Sequence, residues 1–221
     1  MPARIVIDLA DPIPENFRAT LRIGLSVGVE LHRIYHGAYG PCQFNATDRG
    51  NARFAPIRDR TGAIIPTIYA AQSFRCATCE IILRAPDAIP DPAAMTVVSP
   101  QDFDEHQHST VRTRRALEFV DLTAIGQRVL GLVGNALLSG GTLHYPATRA
   151  WAEAIHAHAP WADGIYYTSY QCGPEFAMML FGDRCTDALE QIGPPRPVRA
   201  ASVEDEIRTI GEAIGIEYAD L

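Results

Sequence analysis

Four side chains spread along this chain are of the types that handle a phosphate-bearing substrate whose reacting centre becomes cationic: Arg33, Arg53, Glu80 and Ser169. An arginine fork grips phosphate oxygens through parallel N–H bonds. A fixed carboxylate stabilises a developing positive charge or takes a proton. A hydroxyl at a strand end supplies a hydrogen bond to either group. Their settings add to the reading. Arg33 stands inside the apolar run Leu31-His32-Arg33-Ile34-Tyr35, Arg53 precedes Phe54, Glu80 follows the strand-like Ile68-Tyr69-Ala70-Ala71, and Ser169 ends Ile165-Tyr166-Tyr167-Thr168. Half-buried charges are costly unless paired, which is the reason to take the four together. Each alone also fits a structural ion pair or a solvated surface, and spacing along the chain does not bring them to one place.

Other reactive types read more plainly. Cys76-x-x-Cys79 has redox or half-zinc spacing, yet no second such pair and no nearby histidine completes a metal set, so packed thiols are expected and no metal ligands are assigned. His106 and His108 read as a solvated pair in a polar loop. His156 and His158 are two apart on a helix and do not share a face. Trp151 and Trp161 read as core residues.

The elements that must position these groups follow from periodicity. Leu31–Tyr35 alternates as a strand, residues 42–52 form a polar loop, and Ile64–Ala71 is a buried strand entered through Pro66. Ser73 caps a helix with Phe74, Ala77 and Ile81 on one side. A strand is expected over 117–122 and a helix over 124–138, with Ile125, Val129, Leu132, Val133 and Ala136 sharing a face. Another helix starts near Pro146 and ends near Pro160. Strands at 165–168 and 175–182 follow. Arg18–Val29 reads as a short helix, Pro86–Pro92 as a loop, and 93–109 as an insertion without a clear element. Pro194–Pro197 marks a boundary before a last helix, capped by Ser202, with the stripe Val203, Ile207, Ile210 and Ile214.

With 221 residues and 47% hydrophobic content, the chain has enough apolar surface for one core. The division expected is 1–30 as an extension, 31–185 as the catalytic domain, and 186–221 as a linker and helix packed on it. A net charge of −7 argues against a surface that binds nucleic acid directly. No apolar stretch is long enough for a membrane span. Met1–Ala10, containing Asp8, lacks the pattern of a signal peptide. Five cysteines in a chain of this size suit a reduced, cytoplasmic protein.

The ordered pieces Leu31-His32-Arg33-Ile34-Tyr35, Phe44-Asn45, Ala52-Arg53-Phe54-Ala55-Pro56, Thr67-Ile68-Tyr69-Ala70-Ala71, Ala77-Thr78-Cys79-Glu80 and Asp163 to Ser169 together resemble the RES domain family. The likeness covers about Leu31 to Gly182. It implies an α+β fold like that of ADP-ribosyltransferases and diphtheria-type toxins, a mixed curved sheet with flanking helices. It also implies a toxin of a bacterial toxin–antitoxin pair that cleaves the nicotinamide–ribose bond of NAD by phosphorolysis. NAD is then substrate rather than prosthetic group, with inorganic phosphate as co-substrate. A separate helix-turn-helix antitoxin blocking the site is implied too, and an oligomer, either of this chain or with that partner, is expected.

By this resemblance Arg33, Glu80 and Ser169 are the catalytic set, and Arg53, Tyr35, Tyr69, Asn45, Arg149 and Tyr170 bind substrate. Glu80 orients the ribose and stabilises the cationic carbon, the two arginines hold phosphate, and Tyr69 stacks on a ring. The sequence departs from the family after the serine, where Tyr170 stands in place of a common arginine. Arg149 or Arg184 is then the candidate substitute. Hydrolysis of NAD and ADP-ribosyl transfer to a protein share the first step and remain open, as does a catalytically lapsed domain that acts through protein contacts.

Overall fold

The computed structural model describes Leu9, Ile13, Pro14 and residues 21–84 and 96–219. Its strands are β1 (Arg22–Leu25), β2 (Glu30–His36), β3 (Ile57–Arg58), β4 (Ile64–Ile65), β5 (Thr67–Ala71), β6 (Thr96–Val98), β7 (His106–Thr113), β8 (Leu117–Asp121), β9 (Gly164–Thr168), β10 (Phe176–Phe181), β11 (Leu189–Pro197) and β12 (Ile216–Tyr218). The helices are α1 (Phe74–Ile81), α2 (Ala124–Val129), α3 (Ala136–Ser139), α4 (Tyr145–His158), α5 (Gly182–Cys185) and α6 (Ala201–Ile214). Eight strands form one mixed sheet in the order β1-β8-β9-β10-β5-β2-β7-β11. Only β8 and β9 run parallel within it. The fold is therefore α+β, with a curved sheet and flanking helices. No helix among the described residues is long and apolar enough to cross a membrane.

Alternation along the strands divides the core in two. In β10, Ala177, Met179 and Phe181 join Ile165, Tyr167, Trp151, Ile155, Val203 and Ile207 on the helix-covered face. Met178 and Leu180 join Leu31, Ile68, Val111 and Phe119 on the other. A strand buried on both faces is a continuous apolar run, which is how 176–181 reads in the sequence.

The sheet opens where it matters for the site. β10 and β5 are paired through five residues, from Ala177↔Ala71 to Phe181↔Thr67. β2 and β5 share one register pair, His32↔Ala71. Beyond it the two strands diverge, and the backbone edge of β5 takes other partners: Thr67 pairs with Asn45, and the Tyr69 carbonyl accepts from Arg33 Nε at 2.7 Å.

Several expectations change. The helix over Arg18–Val29 is not formed in its described part: Arg22–Leu25 is an edge strand whose backbone is satisfied by β8. The unplaced insertion contains β6 and β7, the latter a long strand held between β2 and β11. His108, read as solvated, therefore lies in a strand and is 3% exposed. The helix over 124–138 is broken into α2 and α3, because Gly131 and Gly134 adopt φ of 89° and 59°, values that glycine reaches without steric cost. Ile125, Val129 and Val133 consequently face solvent. Pro194–Pro197 is the end of β11 rather than a break. The cap of α6 is Ala200, without a side-chain bond. The expected loop at Pro86–Pro92 lies outside the described residues.

Candidate active site

Helix α1 starts because Ser73 Oγ accepts from the Cys76 backbone N–H at 3.0 Å, an N-cap worth about 1 kcal/mol. It buries Cys76, Ala77, Thr78 and Cys79. Ile81, expected on the inner face, is 41% exposed. Glu80 emerges at the edge of that buried face, at the open end of the sheet.

Strand β9 delivers Ser169 to the same place. Its hydroxyl donates to Glu80 Oε1 at 2.6 Å and accepts from the Cys172 backbone N–H at 2.9 Å. The turn after Ser169 folds back so that Ser169 N–H donates to the Glu175 carbonyl at 2.8 Å. The hydroxyl is thus fixed as a donor to the carboxylate. Burial pushes the Glu80 carboxyl above its ordinary range, while Ser169, Arg53 and Arg84 pull it back.

A group of arginines surrounds Tyr145, a buried ring at the start of α4. The guanidinium carbons of Arg53, Arg84 and Arg149 lie 5.4, 5.6 and 5.8 Å from its centroid, within cation–π range. Arg84 also donates to the Tyr145 hydroxyl. Arg53 donates to the carbonyls of Leu137 at 3.2 Å and Gly140 at 2.8 Å. Its own backbone is tied to α4, where Thr148 Oγ1 donates to the Arg53 carbonyl and Arg149 Nε to that of Ala52 at 3.1 Å. The loop that receives Arg53 is held by buried Gln127. Its amide donates to the Leu122 carbonyl at 2.8 Å and to Asn135 Oδ1 at 2.6 Å, and its Oε1 accepts from Leu137 N–H at 3.0 Å.

Of the residues singled out in the sequence, Glu80, Ser169, Arg53, Tyr69, Arg149 and Tyr170 gather here. The Tyr69 hydroxyl accepts from Phe54 N–H at 3.1 Å, and burial raises its phenol well above the usual range. It fixes the Arg53 segment from below. Tyr170 is 55% exposed, with Arg53 at 5.8 Å from its ring, so it stands at the mouth. Arg33 and Tyr35 point to the other face. The Arg33 guanidinium donates to the Tyr69 and Pro41 carbonyls, and burial brings it down to about 10. It is not among the groups that act on Glu80. Tyr35 is hydrogen-bonded to Ser109 at 2.8 Å. Asn45 is a turn residue whose Oδ1 accepts from Thr47 and whose amide donates to the Arg49 carbonyl. Arg184 does not replace the absent arginine, since it caps the end of α4 through the carbonyls of His156, Ala159 and Ala162.

Sequence reasoning missed Arg84, Tyr145 and Gln127. Arg84 is four residues after Glu80, a spacing that signals proximity. The others carry no local sign. The CxxC thiols are unlike those of redox sites, because burial pushes Cys79 up to about 12 and Cys76 higher still. A separate depression lined by Gly28, Glu30, Arg112, Thr113, Arg114 and Glu190 lies at the far edge, where Arg112 is paired with Glu190 at 2.6 Å.

A family model for the RES domain matches residues 30–201. The solved structure of the M. tuberculosis MbcT–MbcA toxin–antitoxin complex holds a chain that superposes with a TM-score of 0.54 at 14% identity, over 84% of this chain and 92% of its own. No curated protein matches the sequence.

Proposed function

As this chain belongs to the RES domain family, we propose that it cleaves the nicotinamide–ribose bond of NAD by phosphorolysis. The observation that supports this best is a half-buried carboxylate, Glu80, held at 2.6 Å by Ser169 and faced by Arg53 and Arg84. The C–N bond breaks with its electron pair passing to the nicotinamide ring nitrogen, which loses its positive charge. The anomeric carbon becomes oxocarbenium-like, and the fixed Glu80 carboxylate stabilises that charge. A phosphate oxygen then bonds to the carbon, yielding ADP-ribose 1-phosphate and nicotinamide. Ser169 keeps one carboxylate oxygen occupied, so Glu80 presents the other to the sugar.

The arginines around Tyr145 suit the phosphates of NAD and the attacking phosphate. Arg149 stands nearest to the role of the arginine that Tyr170 replaces. We assign Arg33 to holding β5 against β2, and Tyr35 and Asn45 to structure. A separate antitoxin is the fitting partner, its end entering the mouth beside Tyr170 and Arg53. Purified protein incubated with NAD, with and without phosphate, tests the reading. Phosphate-dependent release of nicotinamide supports it. Phosphate-independent release makes the enzyme a glycohydrolase, and no release from folded protein refutes NAD cleavage.

A further inference from the structure

The turn after Ser169 brings Cys172 and Glu175 onto the CxxC of α1. The Sγ atoms of Cys76 and Cys172 and a carboxylate oxygen of Glu175 all lie within 4.8 Å of one another. Cys172 is among the groups that act on the thiols of Cys76 and Cys79. Cys76 and Cys79 are three apart on a helix and so share a face. Two sulfurs and one oxygen therefore converge from two segments far apart in the chain, with Cys79 on the same helix face as Cys76. All three cysteines are free and buried.

We propose that Cys76, Cys172 and Glu175, joined by Cys79 from the same face of α1, form a four-ligand site for a thiophilic divalent cation, with zinc as the ion that such a donor set favours. Tetrahedral zinc at 2.0–2.3 Å from each ligand spaces the donors about 3.3–3.8 Å apart. Cys76, Cys172 and Glu175, within 4.8 Å of one another, reach that spacing through shifts on the order of an ångström, and binding releases the thiol protons to solvent. A support for the ligands is already in place. Ser73, the cap of α1, donates its hydroxyl to Glu175, the kind of bond that orients a ligating carboxylate. Gly173 and Pro174, in the turn between Cys172 and Glu175, are exposed.

The ion would join α1, which bears Glu80, to the turn that bears Ser169. Cys76 precedes Glu80 by one helical turn, and Cys172 N–H is bonded to Ser169 Oγ. Occupancy would thus clamp the carboxylate–hydroxyl pair from behind without entering the substrate cleft. This site stands independently of what the cleft binds.

Cobalt titration of the full chain, stripped with a chelator under a phosphine reductant, tests it. One equivalent should give the visible bands of tetrahedral cobalt and near-ultraviolet thiolate charge transfer, both abolished by zinc. Cys172→Ser should weaken binding more than about 100-fold, since outer partners alone are worth about 10–100-fold. Cys42→Ser, outside the cluster, should leave it unchanged. Glu175→Gln keeps the volume of a partly exposed side chain and should weaken binding if Cys172→Ser does not fold. Absence of tetrahedral bands, or unaltered affinity in Glu175→Gln, overturns the site.

Discussion

Replacing Glu80 by Gln removes a charge while keeping shape and the acceptor for Ser169 Oγ. A unit charge about 4 Å from the cationic carbon, at an effective dielectric constant near 20, contributes about 4 kcal/mol, or a factor of about 10³ in rate. Nicotinamide release should therefore fall about 10³-fold, with little change in KM. Stability should move the other way. Burial is the largest influence on this carboxyl and raises its pKa in the fold, so the folded state binds the proton more readily than the unfolded chain. Glu80 thus costs stability as pH rises above the ordinary carboxylate value, and the neutral amide escapes that cost. The variant should melt at or above the wild-type temperature at pH 8, the difference vanishing towards pH 4. In the wild type, turnover should fall on acidification with a midpoint above the ordinary carboxylate value. Nicotinamide assays across pH and thermal melts of both proteins decide the matter. Turnover within tenfold of wild type, or a lower melting temperature at pH 8, would refute this account of the carboxylate.

Ser169→Ala removes a donor to a charged acceptor, a bond worth about 1.5–3 kcal/mol, so kcat should drop about 10- to 100-fold in the same assay. Gln127→Ala leaves buried backbone groups without partners at about 1–3 kcal/mol each. It should lower the denaturant midpoint and, by loosening the carbonyls that hold Arg53, raise KM for NAD. Burial brings His108 down to about 4, so the unfolded chain takes up a proton that the fold refuses between that value and 6.5. Stability from this residue is full above about pH 6.5 and is lost as pH falls towards 4, on the order of 3 kcal/mol in total. His108→Gln should flatten that part of the urea midpoint–pH curve. Met179→Ala, in the doubly buried strand, should cost about 2–5 kcal/mol by calorimetry.

The strands and α1 are legible because their periodicity comes from local burial, and Glu80 and Ser169 lie at the ends of such elements. The failures share a different cause. Arg33 sits in an apolar run whichever way it points, and the one-pair junction of β2 with β5 decides its direction. His108 looks solvated until β11 closes over β7. The break between α2 and α3 depends on two glycines whose φ values no pattern of apolar residues reveals. Tyr145, Gln127 and the cysteine cluster depend on contacts between distant segments, which leave no trace in spacing.

The lone junction between β2 and β5 also changes what a loss of function would mean. Past His32, the Arg33 guanidinium stands in for a missing rung of the ladder between β2 and β5. A protein assembled this way keeps two half-sheets in register through one backbone pair and one exchangeable group. Alanine at Arg33 would silence the enzyme as thoroughly as alanine at Glu80, yet by letting the halves drift apart. Free guanidinium supplied in solution could then restore an Arg33 variant, as it could not restore one at Glu80, and a family signature would prove to contain a keystone beside its reagents.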